Sequence, residues 1–339
     1  MTKPFIDVAA GMILRADGAL LLAERPGDKP WAGWWELPGG KIEAGETTLQ
    51  ALARELKEEL DIDVTEATPW VTYVHEYPKT IVRLAFCRVT GWTGEPKGIE
   101  GQRLAWVDPG APLTVGPLLP ATEPPLRWHR LPDRYLITSI GSDANAGPFM
   151  DKLASALDRG IRLVQFREPD YAAASADGAW QALQRVVQLC RSAGARCLVN
   201  SCHPESWWKE ADGVHFRAAD ARSRVARTHA ETNASQAEAC LPARPTFDDG
   251  AAIPGLIGVS AHDAADLAAA RSLKADFAVL GHVLDTPSHP RLPGMGWARF
   301  AELAAAAGLP VFAIGGQSEA TVADARKHGA HGIAGIRYL

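Results

Sequence analysis

No run in the 339-residue sequence approaches the ~18 apolar residues that cross a bilayer, and Met1 to Ala10 lacks a long apolar core ahead of a small-residue cleavage site. No membrane span or secretory leader is therefore expected, and the sequence reads as cytoplasmic. An excess of positive charge is also missing. With 35 Lys and Arg against 40 Asp and Glu, the net charge is −5, which leaves no basic field to neutralise the phosphates of a duplex. Stable nucleic-acid binding is not expected. Cysteine is scarce as well: Cys87, Cys190, Cys197, Cys202 and Cys240 include no CxxC pair, which argues against a disulfide framework and a cysteine zinc site.

What is present is an ordinary globular composition, 47% hydrophobic and 22% charged, in a chain long enough for about two domains. A Pro-, Gly- and Thr-rich stretch from Asp108 to Pro125 precedes a change of rhythm after Leu131-Pro132, so the expected domains are residues 1–130 and 131–339. In the first, strands at Val8–Leu14, Ala19–Ala23, Pro69–Tyr77 and Ile81–Val89 surround one acidic helix, an α+β arrangement of a mixed sheet with helices. In the second, eight apolar runs alternate with Ala-rich helical segments: Tyr135–Thr138, Leu163–Arg167, Cys197–Asn200, Gly213–Phe216, Leu256–Ser260, Phe277–Val283, Val311–Gly315 and Gly332–Ile336. Such alternation predicts an α/β fold, a parallel βα barrel of TIM type, with an open doubly wound sheet as the alternative. Arg217 to Pro254 is polar and weakly periodic and reads as a long insertion over one rim.

The acidic helix is the most informative segment. Thr47 or Thr48 caps a helix expected over Leu49–Leu60, with Leu49, Leu52, Leu56 and Leu60 as its packed stripe. Glu55, Glu58 and Glu59 stand at i, i+3 and i+4 on the other face, a crowding of like charge that calls for a cation. The Gly39-Gly40 turn can bring backbone oxygens to that cation, Glu46 can support the loop, and Arg54 can pair with a carboxylate.

Gly40, Glu46 and the run Arg54-Glu55-Leu56-Lys57-Glu58-Glu59-Leu60-Asp61-Ile62 resemble the Nudix signature at every position but one, Asp61 standing where the signature has Gly. That position ends a helix at positive φ, which Asp tolerates better than most residues. Glu36-Leu37-Pro38-Gly39-Gly40-Lys41-Ile42-Glu43, Glu100-Gly101-Gln102 and Pro120-Ala121-Thr122-Glu123-Pro124 extend the resemblance to the MutT branch of the Nudix family. That branch hydrolyses oxidised purine nucleoside triphosphates to monophosphate and pyrophosphate, so the resemblance implies an 8-oxo-dGTP diphosphatase dependent on Mg²⁺, with Mn²⁺ as a substitute. It implies the Gly39 carbonyl, Glu55, Glu58, Glu59 and Glu100 as metal ligands, Glu55 or Glu100 as the group orienting the attacking water, and Arg25, Glu36, Leu37, Gly39 and Thr122 around the nucleotide. Two positions depart from the branch. Thr122 replaces an Asn that reads the base edge, and Leu37 replaces an aromatic that stacks on it, for which Trp34 or Trp35 could serve.

Gln165-Phe166-Arg167, Asn200, Asp212-Gly213-Val214-His215, Gly258-Val259-Ser260-Ala261-His262, Thr286, Ser288 and Gly315-Gly316 resemble thiamine phosphate synthase and its tautomerase relative TenI. The resemblance implies a barrel whose rim residues Gln165, Arg167, Asn200, His262, Thr286, Ser288, Gly315 and Gly316 take a phosphorylated thiazole- or thiamine-like ligand. Three chemical groups of the synthase are absent: Pro169 stands for a Lys, Ser201 for a metal-binding Asp, and no Lys lies near Thr286 and Ser288. The expectation is a nucleotide pyrophosphohydrolase joined to a barrel of degenerate or altered activity. The alternative is a hydrolase of a thiamine-related pyrophosphate with a ligand-sensing or tautomerase-like barrel.

Overall fold

The computed structural model describes residues 3–234, 252–253, 255–286 and 292–336. The chain separates into two compact units, one holding the residues up to Leu131 and the other most of those from Pro132 on. In the first, the elements run β1 (Phe5–Ile13), β2 (Leu20–Glu24), β3 (Trp35–Glu36), β4 (Gly39–Lys41), α1 (Thr48–Leu60), β5 (Asp63–Glu76), β6 (Ile81–Thr93), β7 (Leu104–Val107) and α2 (Glu123–His129), with a 3-10 turn at Pro120–Thr122.

Two sheets result, ordered β4-β1-β6-β5 and β3-β2-β7. β1 pairs in parallel with β6 and antiparallel with β4, which makes the larger sheet mixed. Period-two alternation divides the strands between two cores. Ala9, Ile13 and Leu21 face Ala51, Leu52, Leu56 and Leu60 of α1, whereas Ala10, Met12, Leu20 and Leu22 face Trp35, Leu37, Phe86 and Trp128. β5 begins at Asp63 and not at Pro69, because its polar first half pairs with β6 through bulges along an exposed edge.

Helix α1 starts in a capping box: Thr47 accepts the Gln50 N–H, and the Gln50 side chain accepts the Thr47 N–H. Leu49 does not join the packed stripe. It has the right azimuth but lies in the first turn, where it stays 39% exposed, and Ala51 packs in its place. Asp61 ends the helix at φ 56°, ψ 34°, in the left-handed region expected there.

The second unit runs β8 (Arg134–Ile137), α3 (Asp143–Asp158), β9 (Leu163–Phe166), α4 (Pro169–Ala174), α5 (Ala176–Ser192), β10 (Arg196–Asn200), α6 (Glu205–Trp208), β11 (Gly213–Phe216), α7 (Ala218–Ala234), β12 (Leu256–Ala261), α8 (Ala264–Ser272), β13 (Phe277–Gly281), α9 (Gly296–Ala305), β14 (Val311–Ile314), α10 (Val322–Lys327) and β15 (Gly332–Gly335). β8 to β15 close into one parallel barrel, which sets aside the open-sheet alternative. Inside it, Tyr135, Phe277 and Phe312 meet with ring centroids 5.2 to 5.9 Å apart.

The segment expected as an irregular insertion begins as helix α7. Its Ala- and Arg-rich composition favours helix by propensity while offering little apolar stripe, so periodicity did not reveal it. The rest of that segment, apart from residues 252–253, lies outside the described residues. Among the described residues, no helix is long and apolar enough to cross a membrane.

Candidate functional site

The loop before α1 and the loop before β7 meet at the helix's acidic face. Gly39 adopts φ 143°, and a side chain there would strike the Ala9 carbonyl, while a Cβ on Gly40 would fall 2.2 Å from the Glu55 carboxylate. Only glycine lets the Glu55 head approach the β4 backbone this closely. Glu59 lies beside it, with its side chain 17% exposed and its Oε2 3.4 Å from the Gly39 N–H. The Gly39 N–H thus steadies the Glu59 carboxylate.

Glu100 arrives from a loop tied to the end of the helix. Ile99 N–H and Gln102 Nε2 both donate to the Glu59 carbonyl, at 3.0 and 2.9 Å, and the Gln102 side chain accepts the Glu100 N–H at 2.8 Å. This places Glu100 and Glu59 on either side of Lys29, whose Nζ is 2.5 Å from Glu100 and 3.7 Å from Glu59. Burial raises the Glu59 carboxyl to about 7, opposed by Lys29 and reinforced by Glu100 and Glu55.

Arg54 organises the other side. It holds Glu46 through two bonds of 2.8 and 3.0 Å, reaches Glu55 at 3.0 Å and Glu58 at 3.3 Å, and donates to the Lys41 carbonyl. The Arg54 bonds bring the Glu46 carboxyl down to about 2. Glu58 stays 61% exposed, at the rim of the cluster. Among the described residues no ready-made set of three ligands is already assembled, because the carboxylates are engaged by Lys29 and Arg54. The chemistry still fits a hard cation: the donors are oxygens, three come from neighbouring positions of one helix, and a lysine ammonium already lies between two of the carboxylates.

Of the residues expected around the nucleotide, two are joined directly. Arg25 pairs with Glu36 at 2.5 and 2.7 Å and donates to the Pro30 carbonyl. Burial raises the Glu36 carboxyl despite that pairing. Leu37 and Trp35 are core residues at 5% exposure, and Thr122 is buried at the end of its 3-10 turn. Trp34 is half-buried instead, against Trp31 at 4.8 Å. An aromatic wall that motif reading missed continues from Trp31 to Tyr77 at 6.1 Å and from Tyr77 to His75 at 4.4 Å. Tyr73 donates to the Ala121 carbonyl at 2.5 Å, tying this wall to the turn that carries Thr122. The sequence signal was the alternation of aromatics in Tyr73, His75 and Tyr77, which places the first two on one face of β5 and the third just past its end.

In the barrel, Gln165 and Asn200 are 2% and 1% exposed, and Asn200 Nδ2 donates to Gln165 Oε1 at 2.7 Å. Arg167 is exposed and its N–H donates to the Thr138 hydroxyl. His262 is also exposed, with its ring 3.1 Å from Asp266. Thr286 is half-buried, and Ser288 lies outside the described residues. Gly315 and Gly316 follow β14 at φ 94° and 67°, and side chains there would collide with His282 and Leu284. Asp220 accepts from Ser201 at 2.5 Å and from Arg217 at 2.7 Å, and these bonds outweigh desolvation to lower its carboxyl. His215 was not singled out as a site residue. It is fully enclosed, bonded to Tyr135 and Ser260, and burial takes it down to about 3.

The NUDIX domain family model matches residues 5–128, and the thiamine monophosphate synthase family model matches residues 134–235 and 247–339. An 8-oxo-dGTP diphosphatase from Haemophilus influenzae is 43% identical over 121 residues, which is 36% of this chain and 88% of that protein. The chain belongs to both families. A CTP pyrophosphohydrolase from Escherichia coli is 40% identical over 119 residues, covering 35% of this chain and 87% of that protein. A thiamine-phosphate synthase from Synechococcus sp. is 31% identical over 204 residues, covering 59% of this chain and 50% of that protein. The chain is a Nudix hydrolase, acting on phosphoric anhydride bonds and needing a divalent metal as that family does, carried with a synthase-family barrel.

Proposed function

We propose that the Nudix unit is a Mg²⁺-dependent nucleoside triphosphate pyrophosphohydrolase that prefers 8-oxo-dGTP and releases monophosphate and pyrophosphate. The observation that carries this reading is the placement of Glu55 and Glu59 against the Gly39-Gly40 strand with Glu100 joined to Glu59 through Lys29, beside an aromatic wall and the Arg25–Glu36 pair. Glu55, Glu59 and Glu100 would hold the cation, with Glu58 at its exposed edge. When bound, the cation neutralises phosphate charge and makes water a better nucleophile.

The chain's own groups do the rest. Arg54 pins Glu55 against Gly40, so that carboxylate is a fixed donor. Glu100 is 40% exposed, against 15% for Glu55, which suits it better than Glu55 for orienting and deprotonating the attacking water. Lys29 is placed to follow charge from Glu100 onto the phosphates. Trp31, Trp34 and Tyr77 offer faces on which a base can stack, and the Arg25–Glu36 pair offers both charge signs to its edge or sugar.

For the barrel we propose binding of a phosphorylated small molecule at the rim formed by Gly315 and Gly316, which follow β14 at the C-terminal end of the barrel, where backbone N–H groups can meet a phosphate. The fusion itself favours a second reading, hydrolysis of a thiamine-related pyrophosphate. One assay separates the readings: pyrophosphate or phosphate release from 8-oxo-dGTP, dGTP, CTP and thiamine diphosphate with Mg²⁺. The highest kcat/KM is expected for 8-oxo-dGTP; a higher value for thiamine diphosphate would replace this reading with the second.

A further inference from the structure

A buried indole N–H of the Nudix unit has no hydrogen-bond partner among the described residues. Trp128 is 6% exposed, and its Nε1 is shut off from solvent without meeting an acceptor. A donor enclosed in this way loses its hydration and gains no bond in return, which is why such groups are rare in folded chains. The surroundings do not supply what is missing. Trp128 packs in a cluster with Met12, Leu20, Leu22, Leu37 and Phe86, and the Tyr73 ring stands across it at 5.4 Å and 88°, offering its π face at most. Indole donates and never accepts, so only an incoming acceptor can satisfy it.

Its contacts show where that acceptor comes from. Trp128 stands on α2, and Thr122 ends the 3-10 turn that leads into this helix. Tyr73 joins the two: its hydroxyl donates to the Ala121 carbonyl at 2.5 Å while its ring meets the indole. The same tyrosine meets His75, from which the aromatic wall continues to Tyr77 and Trp31. Within the cluster, Trp35 and Leu37 are the sequence neighbours of Glu36, the carboxylate paired with Arg25. Contacts thus run from Trp128 to the turn of Thr122 and to the wall on which a base can stack. The cluster is also unsealed, because Tyr73, Leu113, Val115 and Leu118 at its margin are only half-buried.

We propose that Trp128 is a further specificity-determining residue of the Nudix unit, its indole N–H donating to a carbonyl oxygen of an oxopurine base. The inference rests on the nucleotide reading of that site and adds the sense of its discrimination. A group that can only donate favours guanine and oxidised guanine. Adenine carries an amino group, itself a donor, where guanine has its oxygen, and would leave the indole unpaired.

The test uses the full chain with ¹⁵N-labelled tryptophan and Mg²⁺, and 8-oxo-dGMP and dAMP as probes. The Trp128 indole resonance is assigned with Trp128→Phe, or through its contacts with the Tyr73 ring should that variant not fold. 8-oxo-dGMP is expected to move this proton downfield, as a new hydrogen bond does, and dAMP to leave it in place. 8-oxo-dGMP that binds without moving it, or equal downfield shifts with both nucleotides, would overturn the assignment while the nucleotide reading stands. In steady-state assays Trp128→Phe should raise KM for 8-oxo-dGTP about tenfold and lower its preference over dATP by the same factor, with kcat changed less than about twofold. A loss shared equally by both substrates would show that Trp128 only supports the fold. No binding of 8-oxo-dGMP by the wild type would refute the nucleotide reading and this inference with it.

Discussion

Lys29 Nζ lies 2.5 Å from Glu100 Oε2, and the same ammonium is 3.7 Å from Glu59. A lysine therefore holds apart two carboxylates that a metal would also claim, so cation binding competes with an internal ion pair. Lys29→Met should tighten Mg²⁺ and Mn²⁺ binding several-fold in calorimetric titrations without nucleotide, because two repelling carboxylates lose their resident charge. Weaker metal binding would mean that Lys29 supports the site and does not compete for it.

Glu59 carries a pH prediction. Its carboxyl is raised to about 7 in the fold, above the usual carboxylate range, mainly by burial. Below the unfolded value both states are protonated and nothing is lost. As pH rises toward 7 the unfolded state ionises first, and the metal-free fold is destabilised by up to roughly 3 kcal/mol. With chelator present, Glu59→Gln should leave the urea midpoint unchanged at pH 4 and raise it at pH 8. With Mg²⁺ the same variant, like Glu55→Gln, should lose orders of magnitude in hydrolysis. A midpoint difference independent of pH would remove the basis of the assignment.

Asp61 tests a departure from the family pattern. It occupies the left-handed region and pairs with Lys57 at 3.0 Å, so Asp61→Gly gains backbone ease and loses an exposed ion pair. Stability should change by less than about 1 kcal/mol and hydrolysis by less than about twofold. Asp61→Val should cost about 1–2 kcal/mol, since a β-branched residue is strained at this φ. Equal effects of Gly and Val on the melting temperature would show that backbone conformation is not the constraint.

These sites show which features a sequence carries. Asp61 and the capping residue Thr47 were legible because local backbone geometry depends on near neighbours, and the eight barrel strands because burial on both faces leaves continuous apolar runs. Leu49 was misread because its azimuth is right and only its place in the first turn, which periodicity does not weigh, leaves it exposed. Helix α7 was missed because it has propensity without a stripe. Lys29, Trp31 and His215 escaped for another reason: each acquires its chemistry from partners far away in sequence, Glu100, Tyr77 and Tyr135, and no spacing rule encodes such pairs.

Thr122 bears on base choice. It is buried at the end of a turn fixed by Tyr73, and its hydroxyl reaches less far than an amide. Preference for 8-oxo-dGTP over dGTP should rise about tenfold in Thr122→Asn, corresponding to one recovered hydrogen bond of ~1–3 kcal/mol. The competition assay is kcat/KM for both nucleotides on both proteins. An unchanged ratio would place base reading elsewhere, on the aromatic wall or the Arg25–Glu36 pair.

The barrel should not make thiamine phosphate. A substitution that expels pyrophosphate needs cations or a metal at the leaving group. Here Pro169 stands where the synthase pattern has Lys, and Ser201 where it has a metal-binding Asp. The remaining acid, Asp220, does not replace it: Ser201 donates to it at 2.5 Å, Arg217 pairs with it at 2.7 Å, and its negative charge is already neutralised. Each missing stabiliser of this kind is worth about 10²–10³ in rate, so two losses place turnover at least about 10⁴-fold below a competent synthase. The full chain is therefore expected to leave a synthase-deficient strain dependent on thiamine. Restoring the pattern with Ser201→Asp should not suffice alone, since the new carboxylate would meet Asp220 and take Arg217 as a partner before any metal. Growth without thiamine in cells carrying the wild-type chain would show that this barrel neutralises pyrophosphate by groups other than those the synthase uses.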